Sequence, residues 1–371
     1  MARRRITAAD DHTDTPLLQV EDLRTHFHTP RGRVRAVDGV SFDLRAGRTL
    51  GIVGESGSGK TVLARSIMGL LPRAHVERTG TIRYAGTDIS GYSQSEMRHV
   101  WGPQMAMVFQ DPMTSLNPVM KVGRQITESL RYHLDMSKDE ADALAVSLLT
   151  SVGIPEPEKR VKEYPHQLSG GMRQRVVIAI ALACGPKLLF ADEPTTALDV
   201  TVQAQILNLL DAQQRERFMA MVLVTHDLGV VAGRAHDIAV MYAGKIVEKA
   251  SAAGLFSSMR MPYTEALLES IPKLEYRSHT RLASIPGRPP DLVSPPKGCN
   301  FAPRCRYAQE LCLEEEPPLV PAEDPGHLYA CHFPVGTEAG RQALARNEAE
   351  GRTPAQDETE VSIVQRAGSG A

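Results

Sequence analysis

Apolar residues along this chain gather into short unbroken runs set between stretches of helical spacing. Leu50-Gly51-Ile52-Val53, Met105-Ala106-Met107-Val108, Leu188-Leu189-Phe190-Ala191 and Met221-Val222-Leu223-Val224 each have the length and composition of a strand buried on both faces. Between them, Val62 to Leu70, Ile126 to His133 and Asp139 to Val152 carry apolar residues three and four apart, the helical period. The third of these ends at Gly153-Ile154-Pro155, and a further helix, Gly171 to Cys184, is stopped by Gly185-Pro186. Strands alternating with helices up to about Glu248 predict an α/β fold, a parallel sheet covered on both sides. Three earlier runs, Leu17–Val20, Val37–Leu44 and Thr81–Tyr84, are broken by Gly32, Gly39 and Gly47 and read as separate strands. Residues 1–16 are polar and charged and are expected to be disordered. Beyond Pro262 the composition shifts to Pro, Arg and Cys, which marks a small second module ending near Phe333. The remainder, rich in Ala, Gly and Glu, reads as a solvated tail. No internal repeat is visible.

The turn after the first buried run carries chemistry. Gly54-Glu55-Ser56-Gly57-Ser58-Gly59-Lys60-Thr61 fits G-x-x-x-x-G-K-[ST] and stands between a strand and a helix, the context a phosphate cradle requires. Its glycines let successive N–H groups converge on a β-phosphate, Lys60 supplies a point charge, and Thr61 offers a hydroxyl to Mg²⁺. Two other runs also end in functional groups. Leu188–Ala191 runs into Asp192-Glu193, one carboxylate to hold Mg²⁺ and one to orient or deprotonate water, and Met221–Thr225 delivers His226 to where a γ-phosphate can lie. Carboxylates at the end of a buried strand cost several kcal/mol to desolvate unless paired or metal-bound. In Leu168-Ser169-Gly170-Gly171-Met172, Ser169 reads as an N-cap whose glycines free backbone donors for an anion.

Charge removes other classes. Lys and Arg number 42 against 44 Asp and Glu, a net charge of −2, which lacks the basic footprint of a nucleic-acid binder. No run of 18 apolar residues predicts a membrane span, and Arg3-Arg4-Arg5 is followed by no apolar signal region. The expectation is a cytoplasmic protein, attached peripherally to the inner face of the membrane through partners.

Taken in order, the P-loop, Gln110 after a buried strand, the LSGGM sequence, Asp192-Glu193, Ala197-Leu198-Asp199 and His226 make the chain resemble the ATP-binding subunit of an ABC transporter. The resemblance implies a P-loop NTPase cassette over about 17–255, with a RecA-like core, an antiparallel β subdomain and a helical subdomain over about 112–184. It implies that Gln110 contacts Mg²⁺ and senses the membrane subunits, that Glu193 polarises the attacking water, and that Phe27 stacks on adenine. Ser169, Gly170, Gly171 and Asp199 would contact an ATP held by an opposing cassette. Phe109-Gln110-Asp111-Pro112-Met113-Thr114-Ser115-Leu116-Asn117-Pro118 and Tyr164-Pro165-His166-Gln167 narrow the resemblance to bacterial dipeptide and oligopeptide importers. Nickel and glutathione importers share most of these motifs. Implied partners are a homologous F-type ATPase forming a heterodimer of cassettes, two transmembrane permeases and, indirectly, an extracellular binding protein. Met261-Pro262-Tyr263-Thr264 departs from the family's His-Pro-Tyr-Thr.

Cys184 falls on the apolar helix and reads as a core residue. The other four, Cys299, Cys305, Cys312 and Cys331, lie in the expected extension over 256–335, ahead of a disordered tail over 336–371. Clustered cysteines in a cytoplasmic chain favour metal over disulfides. Four thiolates suit tetrahedral Zn²⁺ or a [4Fe–4S] cluster; the resemblance implies the cluster. A two-cassette translation factor, a coiled-coil chromosome ATPase and a nucleoside kinase are each excluded by the single LSGGM, the missing heptads or the presence of LSGGM at all.

Overall fold

The computed structural model describes residues 15–196, 198–271 and 285–351. The expected disordered segment at residues 1–16 lies almost wholly outside these, as do Ala197 and the end of the expected tail. In chain order come β1 (Leu18–Thr29), β2 (Gly32–Leu44), β3 (Thr49–Val53), α1 (Lys60–Ile67), β4 (Val76–Tyr84), β5 (Thr87–Asp88) and β6 (Met105–Val108). Then follow α2 (Val122–Leu134), α3 (Lys138–Ser151), α4 (Gly170–Leu182), β7 (Leu188–Asp192), α5 (Val200–Glu216), β8 (Ala220–Thr225), β9 (Asp237–Tyr242) and β10 (Lys245–Ser251). The chain continues with α6 (Ala252–Ser258), α7 (Pro262–Glu269), α8 (Glu310–Glu314), β11 (Val320–Pro321), β12 (Leu328–Tyr329) and α9 (Glu338–Ala349).

Two sheets result. β2-β1-β4-β5 form an antiparallel sheet, and the core sheet runs β11-β12-β10-β9-β3-β8-β7-β6. Within the core sheet β9, β3, β8, β7 and β6 are parallel. Alternation along these fully buried strands sends side chains into two cores. Leu189, Ala191, Met221 and Leu223 face α2, α3 and α4 through Ile126, Leu130, Leu149 and Val176. Leu188, Phe190, Val222 and Val224 face α1 and the antiparallel sheet through Leu63, Ile67, Val37 and Phe42. The parallel strands all point their carboxyl ends at one edge, where ligands of open α/β sheets bind. Among the described residues no helix is long and apolar enough to cross a membrane.

The C-terminal module is joined to the core sheet. β12 pairs antiparallel with β10, and β11 with β12. Beneath that pairing, His327 Nε2 lies 2.8 Å from Glu248 Oε1, both side chains almost wholly buried. Glu248 also accepts from the Met261 N–H at 3.2 Å.

The expectation of a disordered tail from residue 336 is corrected by α9. Thr337 caps it, accepting from the Gly340 N–H at 3.1 Å. Its contacts are small and polar: Ala343 is buried, and Gln309 Nε2 donates to Asn347 Oδ1 at 2.8 Å. Such a face carries a single large apolar side chain, the half-buried Leu344, so no hydrophobic period marks it.

Candidate functional site

The site is assembled at the carboxyl ends of β3, β6, β7 and β8. After β3 the chain turns tightly: a Cβ on Gly54 would lie 2.1 Å from the Met241 carbonyl oxygen, and one on Gly59, at φ +100°, 2.1 Å from that of Ala36. Only glycine fits either position. Gly57 also has positive φ, with open space beside it. Ser56 is exposed, while the Ser58 hydroxyl is buried without a hydrogen-bond partner.

Lys60 opens α1 and is buried. Its Nζ donates to the carbonyls of Gly54 at 2.8 Å and Glu55 at 2.9 Å, which leaves one of its three donors unspent. Burial pushes the ammonium below the usual lysine range, while Glu193, Asp192 and Glu55 pull it back up. Next to it, Thr61 Oγ1 donates to Asp192 Oδ1 at 2.9 Å. The Asp192 carboxylate has no solvent exposure, and Oδ2 has no partner. Burial holds this carboxyl above the usual range against the opposing pull of the Thr61 hydrogen bond. A hydroxyl and an unpartnered carboxylate oxygen are the hard donors a small divalent cation takes, so these residues fit Mg²⁺.

Around Glu193 the structure brings three expected residues together. Gln110 Nε2 and Thr196 Oγ1 donate to Glu193 Oε2 at 2.8 and 2.9 Å, and His226 Nδ1 stands 3.5 Å from Oε1. Glu193 itself has φ +45°, a strained conformation for a non-glycine residue and one that clusters at active sites. Thr196 was not foreseen; its hydroxyl sits three residues past Glu193 in the turn that closes over the carboxylate.

The remaining expected residues lie apart. Ser169 caps α4, accepting from the Met172 N–H at 3.3 Å, and Ser169 and Gly170 are exposed. Asp199 caps α5, accepting from the Val202 N–H at 2.9 Å. These two helix tips touch: a Cβ on Gly171 would lie 2.9 Å from Val202 and one on Gly170 3.8 Å from Leu198. Phe27 is half-buried on the antiparallel sheet opposite Val34, two residues from the Ala36 carbonyl that packs on Gly59.

Cys299, Cys305, Cys312 and Cys331 line one apolar pocket with Phe301 and Tyr307. Among the described residues, however, no group of three or more His, Cys, Asp or Glu is placed to hold a metal ion. The expected [4Fe–4S] cluster, and zinc with it, is therefore not supported. Burial pushes all four thiols up, Cys299 to about 11. The Cys305 sulfur accepts from the Tyr307 N–H at 3.3 Å, and His332 Nε2 pairs with the Glu315 carbonyl at 3.1 Å. Cys184, read from sequence as core, is half-buried just past the end of α4.

A P-loop, a buried aspartate and a strained glutamate at strand ends, with an exposed glycine-rich helix tip, define a nucleotide-hydrolysing cassette. The family model for the ABC transporter matches residues 37–196, and that for the oligopeptide/dipeptide transporter C-terminal region matches residues 247–312. The chain is 54% identical over 312 residues to the oligopeptide transport ATP-binding protein OppD of Bacillus subtilis, covering 84% of this chain and 87% of that one. It is 48% identical over 328 residues to the dipeptide transport ATP-binding protein DppD of Escherichia coli, covering 88% and 99%. Among solved structures it resembles the ATP-binding cassette MJ0796 in a dimeric post-hydrolysis state with ADP and Pi. That match has a TM-score of 0.58 and 25% identity, over 63% of this chain and 98% of that one. The chain belongs to the ABC transporter ATP-binding family and is an ABC-type ATPase. One expectation is corrected here: a distinct F-type ATPase is not the supported partner, because the matching solved cassette is itself dimeric.

The buried Asp192 carboxylate gives a test of its own. Its raised pKa means that the unfolded chain releases this proton before the folded one does, so stability falls as pH rises through the usual carboxylate value toward the folded one. Asp192→Asn is expected to raise the melting midpoint of the nucleotide-free protein at neutral pH, by about 1–2 °C for each kcal/mol relieved. The difference narrows on acidification, and Mg²⁺-dependent stabilisation by ATP is lost. Calorimetry across pH, with and without Mg-ATP, reads all three.

Proposed function

We propose that this cassette attaches peripherally to two membrane permeases, which are served by an extracellular binding protein, and powers the uptake of di- and oligopeptides through them. The observation that carries the reading is the gathering of Gln110, Thr196 and His226 on Glu193, beside the Thr61–Asp192 pair and the P-loop. The match of residues 247–312 to the oligopeptide/dipeptide C-terminal region supports the substrate class.

In this reading the backbone from Gly54 to Thr61 cradles the phosphates of ATP, Lys60 neutralises them, and Phe27 stacks on the adenine. Thr61, Asp192 and Gln110 would hold Mg²⁺, which supplies charge neutralisation when bound. Glu193 takes a proton from water as its oxygen attacks the γ-phosphorus, and ADP and phosphate leave. His226 hydrogen-bonds the γ-phosphate. The exposed tip of Ser169, Gly170 and Gly171, with Asp199 beside it, meets the nucleotide of a second cassette and adds donors where charge develops. Closure and reopening of that pair moves the permeases.

Reconstitution in vesicles with the permeases and binding protein provides the test. ATP-dependent accumulation of a labelled tripeptide, and ATPase activity stimulated by it, is expected; ATPase indifferent to peptide would remove the substrate assignment.

A further inference from the structure

The C-terminal module reaches into the P-loop at a single residue and engages it on several sides. Glu55, the residue after Gly54, donates its backbone N–H to Tyr263 Oη at 2.8 Å. Its carboxylate forms a two-pronged pair with Arg304, Nη1 to Oε2 at 2.6 Å and Nη2 to Oε1 at 2.9 Å. Its carbonyl accepts from Lys60 Nζ at 2.9 Å. The N–H and the carboxylate are thus held by residues of the segment between β10 and β11, while the carbonyl accepts from the P-loop lysine.

The support is rigid. Arg304 is 4% exposed, and Tyr263 is fully buried. The Arg304 guanidinium also donates from Nε to the Pro286 carbonyl at 2.7 Å, from Nη1 to Tyr242 Oη at 3.2 Å and from Nη2 to the Ile285 carbonyl at 3.4 Å. All five of its donors are therefore spent in one geometry. Tyr242, Tyr263 and Phe301 pack ring to ring behind it, with centroids 4.5 to 5.3 Å apart. Bidentate pairs of this kind fix orientation as well as charge.

We propose that Arg304 and Tyr263 are positioning residues for nucleotide binding, holding the P-loop in its phosphate-receiving shape through Glu55. Neither touches the nucleotide. The C-terminal module is in this way a working part of the ATP site as well as an appendage to it. The inference rests on Gly54–Thr61 being the nucleotide loop.

Binding of a fluorescent ATP analogue with Mg²⁺ to the full chain, alongside melting curves and steady-state turnover, tests it. Tyr263→Phe keeps the ring and removes only the hydroxyl; it is expected to raise Kd about 3-fold, with the melting midpoint lowered only by the small amount one neutral hydrogen bond is worth. Arg304→Gln and Glu55→Gln are each expected to raise Kd and KM about 10-fold with kcat little changed, and the double variant to be no worse than either. Arg304→Lys, which keeps the charge without the fork, falls between. A purely structural role instead lowers the melting midpoint and the active fraction at wild-type Kd. Wild-type affinity in folded Tyr263→Phe and Arg304→Lys overturns the proposal even if Arg304→Gln does not fold, as does a double variant equal to the product of the singles. Lys60→Ala is the control: if it binds the analogue like the wild type, the nucleotide-loop reading has failed instead.

Discussion

Glu193→Gln is expected to cut ATP turnover by about 10²–10⁴-fold, the range for loss of a positioned general base, while leaving nucleotide affinity near the wild type. Glutamine keeps the shape of the side chain and an acceptor for Gln110 Nε2 and Thr196 Oγ1, whose bonds to Glu193 are 2.8 and 2.9 Å. It cannot take a proton. Because nucleotide enters but is not split, two cassettes should accumulate closed on each other, each offering Ser169 and Gly171 to the other's ATP. Phosphate release measures the first effect, and elution at twice the monomer mass in Mg-ATP measures the second. Turnover within about tenfold of the wild type would place the general base elsewhere.

Lys60→Ala is expected to weaken ATP binding by about 10- to 150-fold, the equivalent of one charge-assisted hydrogen bond of about 1.5–3 kcal/mol. The fold should not suffer. Burial already pushes the Lys60 ammonium down, so its removal relieves a desolvation cost and frees the carbonyls of Gly54 and Glu55 to other donors. Equilibrium titration with labelled ATP separates this from Glu193→Gln, because one variant loses binding and the other loses chemistry.

The two kinds of chemistry were unequally legible in the sequence. Buried runs such as Leu188–Ala191 give strand and position together, since a fully apolar strand of that length has few other places in an α/β fold and its next residues must emerge at the sheet's carboxyl edge. Lys60, Thr61, Asp192, Glu193 and His226 could therefore be proposed from local pattern, and Gln110 from the family resemblance. Thr196 could not, because its contact with Glu193 depends on a turn whose shape includes φ +45° at the glutamate. Arg304 is 249 positions from Glu55 in sequence, and nothing near either residue announces the other. The cysteines misled because spacing reports only chain proximity; the described side chains present no set of three or more ligands. For α9, the usable sign was Thr337 as a cap ahead of Glu338, since a helix that packs through Gly340, Ala343 and Asn347 has no apolar stripe to read.

The sheet pairing of β12 on β10 bears on how the protein can be handled as fragments. A minimal cassette cut at residue 255, where the sequence suggests a boundary, would turn β10 into an edge strand and leave the Glu248 carboxylate, fully buried in the intact chain, without its histidine. Bare strand edges invite pairing with foreign chains. Truncation at this point is thus expected to give insoluble product, and the tractable unit for expression is the chain through at least the end of α9.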